Sequence, residues 1–428
     1  MFKSILHKLK ISNVVIERGI KMLYTILNLY LGANFLFPKD FLILQQITLF
    51  QSFLLFAISL PVGSIFIRLG NSNLEYFKTL IGGTVLFRGL IGTLSILVFN
   101  VYLHYAGYAI SDIGTIALGL LPTLISSVFF IDIIPHIFNF EGRKNWELIT
   151  VYSLFFIVKC LTIIVFKSIC LKILIEFFES IVLVFWVNLT YLKGIFQFSL
   201  IKSSFKRLLK MIRFSTGLYL NGILSVFILR IDQFVLINFI DKSTLSKYML
   251  IVSISSLFLI PMTLLGERLA FTITMAKTQS KAIFKEKSVK SLLTFTLLSL
   301  VLYIIFAGIF THVSSIFFKR NLDDLFIVGL ILGFSIVSNS IGMVLGQINT
   351  TINDGVYTMK RSFIGCICMF IGVNIGFKLY GIIGVAIAAS FTLFLTNILF
   401  WFFSERIREV LFYHPVQKNI MSLKEQSN

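Results

Sequence analysis

Residues 291–317 read SLLTFTLLSLVLYIIFAGIFTHVSSIF, a run without a single Asp, Glu, Lys or Arg. At ~1.5 Å rise per residue such a run forms a helix of about 40 Å, longer than the ~30 Å hydrocarbon core of a bilayer. No soluble core needs so long an uninterrupted apolar helix, so lipid is the solvent that this stretch predicts. The same ruler applied outward in both directions predicts twelve helices, over about 14–37, 41–67, 78–103, 109–135, 147–166, 173–192, 212–240, 245–274, 291–317, 324–348, 361–379 and 381–403. The last two are separated only by Tyr380-Gly381, which reads as a tight turn; a continuous helix there would make the count eleven.

The whole composition agrees with that run. Hydrophobic residues make up 57% of the 428 and charged residues 13%, with a mean hydropathy of +0.93. Soluble domains are about one quarter charged. The net charge of +19 would suggest a nucleic-acid partner in a soluble protein. Here the cations sit in loops between apolar runs, where the positive-inside rule accounts for them and no nucleic acid is expected. The N-terminal tail (Lys3, Lys8, Lys10), the loop from Lys193 to Arg213, the loop from Lys277 to Lys290 and the C-terminal Arg406 and Arg408 share one side. Both termini are therefore expected to be cytoplasmic, as an even number of spans requires. No cleavable signal peptide is expected at the basic N-terminus. Cys160, Cys170, Cys366 and Cys368 form no CxxC pair and read as buried, inert thiols. His7, His104, His136, His312 and His414 show no ligand spacing, and no phosphate-binding glycine loop occurs. No metal, organic cofactor or catalytic residue is expected.

The longest hydrophilic stretch, about 193–211, leaves six apolar runs on each side. Sliding the chain by 200 residues places Leu60-Pro61 on Ile260-Pro261 and Arg68-Leu69 on Arg268-Leu269. Both are long apolar helices with a proline and then a cation two turns on, a weak internal repeat. The division predicts spans one to six in 1–205 and spans seven to twelve in 206–428.

Three segments carry a family resemblance. Phe35-Leu36-Phe37-Pro38-Lys39-Asp40-Phe41 looks like an LGPxxFG turn with its glycines replaced, by Phe37 and Leu42. Arg230-Ile231-Asp232 followed by Ser246-Lys247-Tyr248 is similar to a D…LG…vGxY segment, with Ser246 at a glycine position. Tyr380-Gly381-Ile382-Ile383-Gly384-Val385-Ala386 resembles a YGxxGaA helix start. By these the chain resembles O-antigen flippases of the Wzx type, in the polysaccharide-transporter branch of the multidrug/oligosaccharidyl-lipid/polysaccharide exporter superfamily. The layout covers nearly the whole chain and the motifs about a tenth of it. The resemblance implies an all-α polytopic membrane protein with about 12 transmembrane helices in two six-helix lobes around a central cavity. It also implies alternating access and the flipping of an undecaprenyl-diphosphate-linked oligosaccharide across a bacterial inner membrane, with no enzymatic step. Membrane lipids, and other polysaccharide-assembly membrane proteins, are the further partners this suggests.

Ionisable residues inside the spans are the ones that can speak to mechanism, since each costs at least ~2.5 kcal/mol at mid-membrane unless paired or facing water. Arg88, Lys159, Arg230 and Arg268 either line a hydrated cavity that receives a diphosphate, or join interhelical ion pairs. Asp232 and Glu267 either couple transport to H⁺ or Na⁺ or are static partners of those cations. Arg230 and Asp232 lie about 200° apart around a helix and cannot pair along one face. Glu176 and Glu179 sit near a helix start, where the dipole stabilises acids. Two rival readings remain: a membrane O-antigen polymerase or glycosyltransferase, disfavoured by short outer loops, and a multidrug/cation antiporter, disfavoured by the excess of deep cations.

Overall fold

In a computed structural model the described residues are 13–58, 74–129, 143–191, 201–318, 322–352 and 355–412. Side chains of some further residues, Glu267 and Arg268 among them, also lie outside the description. The Pro61 and Arg68 half of the internal repeat lies there too. The described residues contain helices and no strand.

The helices are α1 (Asn13–Phe35), α2 (Pro38–Ile58), α3 (Leu74–Tyr105), α4 (Ile110–Val128), α5 (Arg143–Leu161, extended by a π turn to Phe166), α6 (Ile169–Tyr191) and α7 (Ile201–Ile237). After them come α8 (Lys242–Phe258), α9 (Ile260–Gln279), α10 (Lys281–His312), α11 (Phe326–Gly333), α12 (Ser335–Ile352), α13 (Gly355–Phe394) and α14 (Glu405–Phe412). Within the described residues each of the twelve expected runs falls on one of these helices, on a broken pair, or on one arm of α13; residues 59–67, 130–135 and 192 of three runs lie outside them. Seven helical stretches are long and apolar enough to cross a bilayer, or eight with the bent pair α8–α9. The all-α membrane class read from the apolar runs is the observed one.

Breaks fall where local chemistry requires them. The α8–α9 pair bends by 41° just before Pro261, whose ring cannot follow a residue in a continuing helix and which sits in the first turn of α9. Pro122 lies inside α4. The stretch Val356–Phe402 counts once by composition, but it is a hairpin. Tyr380 leaves helical geometry and Gly381 takes φ +57°, a conformation open to glycine at little cost. Beyond the turn the two arms run together. Tyr357 donates to the Phe400 carbonyl, Arg361 to that of Thr396, and the backbones of Gly376 and Gly384 touch.

By contacts the chain forms two compact units, Met1–Ser253 with Ile309–Phe326, and Ile254–Gly308 with Ile327–Asn428. In the first unit α7 packs along α3, and α2 against α4, with α6 beyond α4 and α5 beyond α6. Phe53 of α2 meets Phe99, Phe227 and Phe234 edge-on, a cluster that ties α2, α3 and α7 together. In the second unit α12 is central and packs on α9, the α13 hairpin and α14. There Val344, Leu345 and Ile348 bury fully among Met262, Ile273 and Trp401.

Candidate functional site

The charged interior is built in the first unit, on α3 to α8. Arg88, on α3, is 1% exposed. Its Nη1 donates to the Ser127 carbonyl at 2.5 Å. Ser127 is the penultimate residue of α4, so the guanidinium meets the negative end of that helix. Arg88 therefore ties α3 to the C-terminus of α4.

Lys159 and Glu179 form an ion pair between α5 and α6 at 2.7 Å, with side chains 16% and 9% exposed. Lys172 and Glu176 form a second pair at 2.6 Å, one turn apart on α6. Ser180 donates to the carbonyls of Glu176 and Pro122, which links α6 to α4. Helix α6 begins at Ile169, so both glutamates lie beyond its first turn and do not complement its dipole as expected; each instead neutralises a lysine. In low dielectric, such pairing is what lets a charge stay in an apolar bundle.

The α7–α8 pair holds the other charges. Asp232 is buried, and its Oδ2 accepts from the Tyr248 hydroxyl at 2.6 Å. Its Oδ1 has no partner among the described residues, and neither has the buried Nε2 of Gln233. Arg230 points elsewhere, as the 200° separation requires. It is half-buried and makes no hydrogen bond or ion pair among the described residues, although it feels the charge of Asp232.

The turns α1–α2, α3–α4 and α7–α8 meet at one end of this unit. Lys39 pairs with Asp112 at 2.7 Å, and Gln46 donates to the Tyr108 hydroxyl. Lys242 lies over the Tyr108 ring. Ser246 donates to Gln45 Oε1 at 3.1 Å, while Gln45 donates back to the Ser246 carbonyl. Ser246 stands where the resembling motif has glycine; its hydroxyl turns the loss of that glycine into a tie between α8 and α2.

The structure therefore brings Arg230 and Asp232 onto opposite faces of α7, and seats Arg88 and Lys159 on separate helix contacts within the same unit. Glu267 and Arg268 belong to the backbone of α9, and their side chains lie outside the described residues. Reading by residue type missed Ser127, Glu179 and Tyr248 as partners. Only the Lys172–Glu176 pair left a local signal, its i, i+4 spacing. Among the described residues no group of His, Cys, Asp and Glu could hold a metal ion. The four cysteines form no disulfide, and none is buried as expected: Cys160, Cys366 and Cys368 are half-buried and Cys170 is exposed.

No family model matches the chain, and no curated protein sequence does. Solved structures do. An inward-facing multidrug resistance MATE family transporter of the MOP superfamily superposes with a TM-score of 0.70 at 12% identity, covering 94% of this chain and 99% of that one. The lipid II flippase MurJ, in an inward closed conformation, gives 0.64 at 16% identity over 93% and 90% of the two chains. A MATE transporter in complex with MaL6 gives 0.64 at 14% identity, over 93% and 95%. At such identities the likeness speaks for architecture, and the chain has the fold shared by these membrane transporters.

Proposed function

We propose that the chain is a flippase that carries an undecaprenyl-diphosphate-linked oligosaccharide, of O-antigen or a related polysaccharide, from the cytoplasmic to the periplasmic leaflet. It works by alternating access in a bacterial inner membrane, with both termini cytoplasmic and lobes at 1–205 and 206–428. The observation that carries this reading is Arg230: a half-buried guanidinium in an apolar helix, without a hydrogen bond or ion pair among the described residues. Such a charge costs at least ~2.5 kcal/mol at mid-membrane unless water or an anion meets it. A guanidinium matches the two oxygens of a phosphate through paired N–H donors. Arg88, Lys159 and Arg268 complete the phosphate-binding set. For Lys159 this means exchanging Glu179 for the substrate during the cycle. Asp232, with one oxygen unsatisfied, and Glu267 are the groups for H⁺ or Na⁺ coupling. No covalent step is involved.

The test is Arg230→Ala in a host whose surface polysaccharide depends on this protein. The expected result is loss of surface polysaccharide, with membrane-inserted protein at the wild-type level and lipid-linked repeat units retained inside. Normal surface polysaccharide overturns the phosphate role of Arg230. The fold shared with MATE transporters favours one second reading, export of cationic drugs. Expression that raises resistance to cationic dyes and leaves polysaccharide untouched selects it.

A further inference from the structure

The α13 hairpin in the second unit carries a groove of about 510 Å³ on its apolar surface. Its floor is made of small residues, Gly372 and Gly376 on the first arm and Gly384 and Ala388 on the second, with Cys368 and Thr392 toward its open end. The floor is low because the arms touch backbone to backbone at Gly376 and Gly384. Its walls are exposed isoleucine and phenylalanine side chains. Elsewhere, bulky residues fill the lipid-facing surface, as on α10, where Leu293, Leu297, Val301 and Ile304 all project.

Arg361 and Lys360 lie beyond the Cys368 end of the groove. Arg361 lies on the same helical face as Cys368 and Gly372, about 10 Å along the axis from the former at ~1.5 Å per residue. Its guanidinium stacks on Trp401 at 4.0 Å and donates through Nη1 to the Thr396 carbonyl at 2.7 Å. Its buried Nε has no partner among the described residues. Lys360 beside it is exposed, and so are Arg406 and Arg408 on α14. That helix is amphipathic and packs on α12, with Ile407 and Leu411 buried. Apolar on one face, it carries two acids, Glu405 and Glu409, beside the two arginines on the other, and adds no net charge to that end.

We infer that this groove is a binding site for one anionic phospholipid, its phosphate on Arg361 and Lys360 and an acyl chain along Cys368, Gly372 and Ala388. The distances suit it. One leaflet's hydrocarbon is about 15 Å deep, half of a ~30 Å core, and the groove begins about 10 Å from the cation. Arg361 and Lys360 select charge: a zwitterionic choline lipid brings a quaternary ammonium that these two cations repel. This site stands apart from the transport reading, because none of Arg88, Lys159, Arg230, Asp232, Glu267 and Arg268 lines it.

The test compares phosphatidylglycerol and phosphatidylcholine of identical acyl chains on the full-length protein by native mass spectrometry. One phosphatidylglycerol should be retained at least tenfold over phosphatidylcholine. Arg361→Gln should bring the two to parity, and Cys368→Trp, which fills the groove and leaves the cation, should displace the lipid as well. Parity in the wild type, or undiminished retention by folded Arg361→Gln, overturns the site. Should Arg361→Gln not fold, the wild type decides. A phosphatidylglycerol bearing an acyl-chain diazirine should cross-link to 364–379 in preference to α10, and equal labelling of both overturns the inference.

Discussion

The two units share glycine approaches and interhelical hydrogen bonds, and differ in that the buried ion pairs Lys159–Glu179 and Lys172–Glu176 lie in the first. In the first, charges and polar groups bridge helices: Arg88 to Ser127, Lys159 to Glu179, Tyr248 to Asp232 and Gln45 to Ser246. In the second, glycines let backbones and rings approach: Gly333 under Phe306, Gly342 against Asn397, Gly376 on Gly384. Lipid offers no hydrophobic force between helices, so packing and hydrogen bonds do the work in both. The difference is what can be undone. An ion pair can exchange its partner for a phosphate or a proton, whereas a glycine contact has only a closed form.

The largest effect should come from the closed form. Gly376→Leu places a side chain against the Gly384 carbonyl, which is backbone and cannot rotate away. The cost should reach or exceed the ~3 kcal/mol upper end of ordinary overpacking, seen as loss of monodisperse protein after detergent extraction. Gly346 has nothing within 4 Å of where a Cβ would stand, so Gly346→Ala should change the melting midpoint little. Equal damage from both would end the claim that close approach, rather than glycine content, holds this unit.

The next effect tests the ionic unit. Glu179→Ala leaves Lys159 charged in apolar surroundings and should cost roughly 3–5 kcal/mol, as breaking a buried pair does. The double variant Lys159→Met/Glu179→Leu should recover wild-type stability in a thermal melt. If it also keeps surface polysaccharide, Lys159 is a structural partner only, and the phosphate set shrinks to the arginines.

The smallest effect concerns the turn at the end of the first unit. Asp241 Oδ2 accepts from the Thr244 N–H at 2.9 Å, capping the N-terminus of α8. Hydrogen bonds from Thr244 hold its pKa below the ordinary carboxylate value. A depressed pKa contributes stability above the unfolded value of about 3.9 and loses it as pH falls through the folded one. Asp241→Ala should lower stability by about 1 kcal/mol at pH 7, and the gap to wild type should narrow as pH falls through the lowered folded-state pKa. A gap that stays constant with pH would assign the effect to something other than the carboxylate cap.

Much of this molecule was legible in one dimension. Residues 291–317 mark a span by apolarity alone, Tyr380-Gly381 marks the hairpin because glycine accepts a positive φ, and Pro261 marks the break between α8 and α9. Lys172 and Glu176 sit at a spacing that pairs on any helix. Each of these depends only on near neighbours along the chain. The partners of Arg88, Lys159 and Asp232 do not. They lie 39, 20 and 16 residues away, and which helix stands opposite, at what rotation, is settled when α3 to α8 pack. The same holds for the groove, whose two arms meet at Gly376 and Gly384 only once the hairpin has closed. Apolarity adds up locally, so the chain states where it enters lipid; a charge is neutralised by geometry, so only the packed helices decide which cations stay available.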